Sequence, residues 1–199
     1  MRVTAIKQQV KNKDRYSVYV DDVYVFSLSQ NGILQAGIAV GDELTQQDVD
    51  SYKERSNQDK LYERLLNYLS IRPRSQWELQ SYMARKKVDP DLQKHMLEVL
   101  QTKGYIDDAS FARAWVESRR LLKPVSQRKL WQELKVKRVP EHIIETVLAE
   151  DTTDEQAILR ELIQKKQQQQ KYQDSEKLMQ YLARQGFSYG DIKSALEEN

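Results

Sequence analysis

Two spacings of hydrophobic residues divide the chain. Tyr16-Ser-Val18-Tyr-Val20 and Val23-Tyr-Val25-Phe-Ser-Leu28 are β-branched and aromatic runs parted only by Asp21-Asp22. They predict a hairpin with a two-residue turn, and Val3 to Val10 supplies a candidate third strand. A hairpin alone is marginal in water, so the sheet is expected to pack on the helix that follows. Thr45, with Asp48 three residues on, marks the start of that helix, and no later stretch reads as a strand. From there the apolar positions repeat. Ser75, Ser126 and Asp174 each precede apolar residues at +4, +8 and +13: Leu79, Met83 and Val88; Leu130, Leu134 and Val139; Leu178, Leu182 and Phe187. A further helix follows in each unit, carrying Met96 and Leu100, Ile144 and Leu148, or Ile192 and Leu196. In the first unit it falls three residues late, which places an insertion around Asp89-Pro90-Asp91. An earlier helix carries Leu61, Leu65, Leu66 and Leu69, then Phe111, Trp115 and Leu122, then Ile158, Leu162 and Ile163.

The pattern predicts a mainly α protein, in which tandem three-helix units form an elongated arc behind a small N-terminal β-hairpin or three-stranded sheet. The expected boundaries are 1–44 for the β extension, 45–106 for the first helical unit with its lead-in helix, 107–150 for the second and 151–199 for the third. Ser75-Gln-Trp-Glu78 is a capping box, and Thr153-Asp-Glu-Gln156 and Ser188-Tyr-Gly-Asp191 are similar starts. Gly104 and Gly186 stand where helices should stop. Six Gly and four Pro in 199 residues leave few turns, below the roughly 12% of average usage.

Composition narrows the chemistry. There is no Cys, and His95 and His142 lie far apart, so disulfides, thiolate nucleophiles and common zinc sites are not available. No stretch reads as a P-loop, a dinucleotide-binding turn, a membrane span or a secretory signal, which predicts a cytoplasmic, non-enzymatic protein with no cofactor or metal. Formal net charge is +2, unevenly spread. Arg113, Arg119, Arg120, Lys123, Arg128, Lys129, Lys135, Lys137 and Arg138 face only Glu117 and Glu133 within the same stretch.

On a helical wheel Phe111, Trp115, Ser118 and Leu122 share a face, which puts Arg113 and Arg120 outside and Arg119 at the core edge. Leu130, Trp131 and Leu134 face inward on the next helix, with Arg128 and Lys135 as an outward stripe. Pairs such as Arg113 to Glu117 would make this a solvated, self-neutralised surface. Two acids cannot neutralise nine bases, so an anionic partner is expected instead, met by Arg113, Arg120, Lys123, Arg128 and Lys135. Arg119, Lys129 and Trp77 are further candidates; Trp77 lies about 160° from Leu79 on its helix, at a position that is charged in the other units. Trp115 and Trp131 read as core. Asp107-Asp108, after Gly104-Tyr105-Ile106, could bind metal or act as acid and base, but reads more simply as a helix cap preceded by two core residues.

Arg72-Pro-Arg-Ser75-Gln-Trp-Glu78-Leu79, Gly104-Tyr-Ile-Asp107-Asp108-Ala-Ser-Phe111-Ala112 continuing to Lys123, and Lys129-Leu130-Trp-Gln-Glu133-Leu134-Lys-Val-Lys137 resemble the signature of the RecX regulatory proteins of bacteria. The resemblance covers residues from about 60 to 199, and the β start is similar to that of longer members. Ser126 and Arg138 stand where that family usually has Gly. The resemblance implies a protein that binds the filament formed by the RecA recombinase on single-stranded DNA and limits filament growth, ATP hydrolysis and strand exchange; an extended arc suits the filament groove, and a monomer suits insertion there. A stand-alone helical-repeat nucleic-acid-binding protein would share the basic stripe.

Overall fold

The computed structural model describes residues 1–197 and resolves into two compact units, one spanning Met1–Ile71 and the other beginning at Arg72. In the first, β1 (Val3–Gln8), β2 (Arg15–Val20) and β3 (Val23–Ser29) form an antiparallel meander in chain order. Asp21 and Asp22 adopt φ of 48° and 67°, the two left-handed residues of a type I′ turn, whose twist matches that of the strands it joins. Val18, Val20, Phe26 and Leu28 are buried with Val3 and Ile38.

Two helices follow β3. The first, α1 (Gln30–Ala36), was not anticipated: at seven residues, with Gly32 inside it, it is too short to show a period. Its ends were nonetheless legible, since the Ser29 hydroxyl accepts from the Gly32 N–H and Gly37 closes the helix at φ 63°. The second, α2 (Gln46–Ile71), starts as expected: the Thr45 N–H donates to Asp48, and the Asp48 N–H donates back to the Thr45 hydroxyl. It covers β3, with Tyr52 against Phe26 at 5.3 Å between ring centroids, and its Glu63 receives the buried Arg15 at 2.8 Å.

The second unit is helical throughout its described residues: α3 (Gln76–Arg85), α4 (Pro90–Thr102), α5 (Asp108–Leu122), α6 (Gln127–Val136), α7 (Glu141–Glu150), α8 (Glu155–Gln167), a 3-10 turn (Gln170–Tyr172), α9 (Ser175–Arg184) and α10 (Tyr189–Glu197). Ser75, Ser126 and Asp174 cap α3, α6 and α9, and the capping box of Ser75 with Glu78 is complete. The extra residues of the first repeat form the start of α4, where Asp89 caps and Pro90 opens the helix. Asp154 caps α8, one residue after the expected Thr153, whose hydroxyl turns back to Asp151.

The same stop recurs twelve positions after each cap. Lys87, Arg138 and Gly186 adopt φ of 56°, 57° and 97°, and the next residue's N–H returns to the carbonyl of Met83, Leu134 or Leu182. This bond closes a Schellman motif and tucks Val88, Val139 or Phe187 under the helix it ends. Arg138 therefore takes up the left-handed conformation that Gly would hold more easily. Its side chain is exposed and has no acidic partner among the described residues, so Arg138→Gly should relieve strain and raise stability by about 0.5–1 kcal/mol. A urea midpoint that stays put or falls would contradict this.

Candidate functional site

The charged stretch lies on α5, α6 and the turns around them. Phe111, Ala112, Val116, Val125, Leu130, Leu134, Val139, Ile144, Val147 and Leu148 form one core here, with Trp115 and Trp131 half-buried against it. The face of α5 turned toward the core is centred between Ala112 and Trp115, about 60° round the helix from the expected centre. The small side chain of Ala112 brings the face round, because α5 packs mainly against α7. Three expectations change as a result. Ser118 and Leu122 are exposed, Leu122 at 71%; the inward stripe ends on Arg119 and Arg120; and Arg120, expected outside, has a side chain only 12% exposed. Tyr105, expected in the core, is also exposed, while its neighbour Ile106 is buried.

Most of the nine bases find acids, and mainly from outside the stretch. Arg113 pairs with Glu150 at 2.9 Å, not with Glu117; Arg120 with Asp151 at 2.7 Å; Lys135 with Glu141 at 3.3 Å; and Lys137 with Glu78 at 2.8 Å. Arg119 takes Glu133 at 2.8 Å. The expectation that only two acids were available fails because α7, the Asp151 that follows it and α3 deliver four more. Among the described residues, Lys123, Arg128, Lys129 and Arg138 have no acidic partner. Arg128 and Lys123 are exposed as expected, and Trp77 is 41% exposed on the first turn of α3.

Lys123 and Lys129 flank one feature. The Trp115 indole N–H donates to Glu133 at 2.9 Å, and its ring faces the Arg119 guanidinium and the Lys137 ammonium, each 5.1 Å from the centroid. A groove of about 270 Å³ runs from this ring past Ser118 and Leu122 to Lys123. Another of about 370 Å³ runs past Gln132 and Val136 to Lys129 and Lys137. Both share Trp115 and Arg119. The result is an aromatic ring set among cations, a surface suited to a flexible polyanion. Between α5 and α7 a larger groove of about 640 Å³ has an apolar floor of Val116, Leu121 and Val147, and the charges of Arg113 and Glu150 on its rim cancel.

Polar bonds join successive repeats in one pattern, which the sequence reading did not find. The Ser75 hydroxyl donates to the Lys137 carbonyl at 2.8 Å, and one repeat later the Ser126 N–H donates to the Gln185 carbonyl at 3.0 Å. The free N–H of Gln76 on α3 donates to Asp108 at 2.8 Å, and that of Gln127 on α6 to Glu155 at 3.1 Å. Asp107 and Asp108 thus have separate tasks. Asp107 caps α5, its carboxyl held low by the Ser110 hydroxyl and the Ala109 N–H, whereas burial pushes the Asp108 carboxyl up as it caps the preceding repeat. Both acids that reach across stand at the first position of their own helices, where they read as ordinary dipole partners. No group of three His, Cys, Asp or Glu side chains able to hold a metal occurs among the described residues, nor any helix long and apolar enough to cross a membrane.

Known proteins share this organisation. Family models of regulatory protein RecX match in order along the chain: the N-terminal domain over residues 1–45 and the first, second and third three-helix domains over 62–98, 107–148 and 153–196. Regulatory protein RecX of Bacillus licheniformis is 27% identical over 201 residues, covering 98% of this chain and 76% of its own. That of Listeria innocua is 29% identical over 154 residues, covering 77% and 57%. A crystal structure of regulatory protein RecX covers 97% of this chain and 98% of its own, with a TM-score of 0.73 at 24% identity. A crystal structure of RecX from Lactobacillus salivarius covers 71% and 95%, with a TM-score of 0.59 at 22% identity.

Proposed function

Because the chain belongs to the RecX family of regulatory proteins, we propose that it modulates the RecA recombinase in the cytoplasm, binding as a monomer in the groove of the filament on single-stranded DNA. There it limits filament growth, ATP hydrolysis and strand exchange without chemistry of its own. The ATP belongs to the recombinase. The observation that carries this reading is the set of cations without acidic partners among the described residues of the central repeat, with Lys123 and Lys129 on the grooves beside Trp115 and Arg128 exposed on α6. Lys123, Arg128 and Lys129 make phosphate-type contacts, which position a partner without reading its sequence. Arg113 and Lys135 hold solvent-exposed ion pairs that a polyanion can displace at little cost, whereas Arg120 acts by holding α5 to Asp151. Several weak contacts along a periodic lattice then raise the effective concentration for each other.

Recombinase ATPase on single-stranded DNA tests this directly. The triple variant Lys123→Glu, Arg128→Glu, Lys129→Glu should need at least about tenfold more protein than wild type for half-inhibition, with a weaker dependence on salt. Equal inhibition by the two proteins defeats the assignment. Equal affinity for bare DNA and for the filament at the same salt would favour a stand-alone nucleic-acid-binding protein instead.

A further inference from the structure

The two repeat junctions are built alike but charged differently. Counting from the caps Ser75, Ser126 and Asp174, Glu78 and Lys129 occupy one equivalent position, and Lys137 and Gln185 another. At the first junction the two positions hold an ion pair, Lys137 with Glu78 at 2.8 Å. At the second they are Lys129 and Gln185, which cannot pair by charge. Neither position holds an acid here, so Lys129 stands without one across the junction. Lys129 and Lys137 lie on the same groove beside Trp115, eight residues apart, one committed to a junction and one not.

Among the described residues, Lys137 is the one cation that belongs to both structures. Its ammonium reaches Glu78 in the preceding repeat, lies over the Trp115 ring and lines the groove, while its carbonyl accepts from Ser75. Glu78 does not depend on Lys137 alone. Arg72 binds both its carboxylate oxygens, at 2.7 and 3.1 Å, and the Ser75 N–H donates to it as well. If Lys137 leaves, the carboxylate keeps an ionic partner, so the release costs far less than exposing a lone buried charge. Among the described residues the second junction has no equivalent ion pair; there Gly186 packs directly on Ser126 and Lys129.

We propose that Lys137 switches between Glu78 and the phosphates of a nucleic-acid strand lying in the groove, so that strand binding loosens the junction between the first and second repeats and leaves the next junction closed. This regulation rests on the phosphate-binding role proposed above for the central repeat. It makes that role respond to the geometry of the array: a repeat pair bound to a strand can change its angle, whereas an unbound pair is locked.

The absence of Cys allows paired spin labels on the full chain. Labels at Ala84→Cys and Glu145→Cys span the first junction, and labels at Glu145→Cys and Glu161→Cys span the second. With a thirty-nucleotide oligothymidylate at low salt, the first distance distribution should broaden or shift and the second should not. Glu78→Gln, which removes the competing carboxylate, should bind the oligonucleotide about threefold more tightly, and Lys137→Gln more weakly. In Lys137→Gln the first distribution should already be broad and should not respond. The proposal is overturned by an unmoved first distance in a saturated wild-type complex, by weaker binding of Glu78→Gln, by a normal response in Lys137→Gln, or by no binding at low salt. A response to a glutamate-rich peptide with none to the oligonucleotide would also overturn it, in favour of an acidic protein surface. No recombinase is present in these measurements, so ATPase inhibition that persists after such a failure leaves the proposed function standing.

Discussion

Gly186→Ala should destabilise the protein by about 2–5 kcal/mol. Two costs add. The residue sits at φ 97°, where a Cβ is disfavoured by about 1–2 kcal/mol. The new methyl would also overlap the Ser126 hydroxyl and lie 2.8 Å from the Lys129 Cβ and 3.1 Å from the Lys129 nitrogen. These atoms form the start of α6, held by the bond from the Ser126 N–H to Gln185, and cannot retreat without giving up a cap, so overpacking adds about 1–3 kcal/mol. Gly104→Ala provides the comparison, because it has φ 72° but nothing within 4 Å of the added methyl, and it should lose only the backbone share. Urea unfolding of both variants measures the difference; equal midpoints would mean that the close approach to α6 carries no energy.

Glu78→Ala should cost about 2–3 kcal/mol at neutral pH, and roughly half or more of that cost should disappear in acid. The side chain completes the α3 capping box, binds Arg72 and joins Lys137 across the repeat junction. Burial pushes its carboxyl up, but the hydrogen bonds from Arg72 and Lys137, the charge of Lys137 and the Ser75 N–H outweigh burial and bring it down to about 2 from an ordinary 4.5. A carboxyl lowered by folding stabilises above its unfolded value and loses that contribution as pH falls toward its folded one. The difference between wild type and variant should therefore be full above about pH 4.5 and shrink progressively toward pH 2. Linkage sets a ceiling of roughly 3 kcal/mol, and partial access of solvent to the ions reduces it to about 1–2, with the lost cap supplying the remainder. A gap between the two midpoints that does not change between pH 7 and pH 3 would rule out the ionic part.

The helical repeat was legible because its signals are local. A capping Ser or Asp, apolar residues at +4, +8 and +13, and a left-handed stop each follow from backbone geometry within a dozen residues, and Leu130, Leu134 and Val139 are buried as that pattern requires. The hairpin was legible for the same reason. What escaped depends on partners far along the chain. The wheel could not orient α5, because Ala112 declares no preference and its packing against α7 decides which arginine turns inward. The charge count named the basic region but not its free members, since Arg113, Arg120, Lys135 and Lys137 are matched by Glu150, Asp151, Glu141 and Glu78 through tertiary contacts. A comparison of equivalent repeat positions would have singled out Lys129, because it stands where Glu78 does one repeat earlier and faces Gln185, which is no acid.

The second and third repeats bury separate cores, from Phe111 to Leu148 and from Ile158 to Ala195, with no residue in common. Heat or denaturant therefore acts on something closer to a short chain of coupled switches than to one cooperative block, each repeat having an intrinsic folding free energy and each junction a nearest-neighbour term. Only the junction terms carry news of a damaged repeat to the next. Weakening a junction thus changes how abruptly the array melts, whereas weakening a core changes which end melts first.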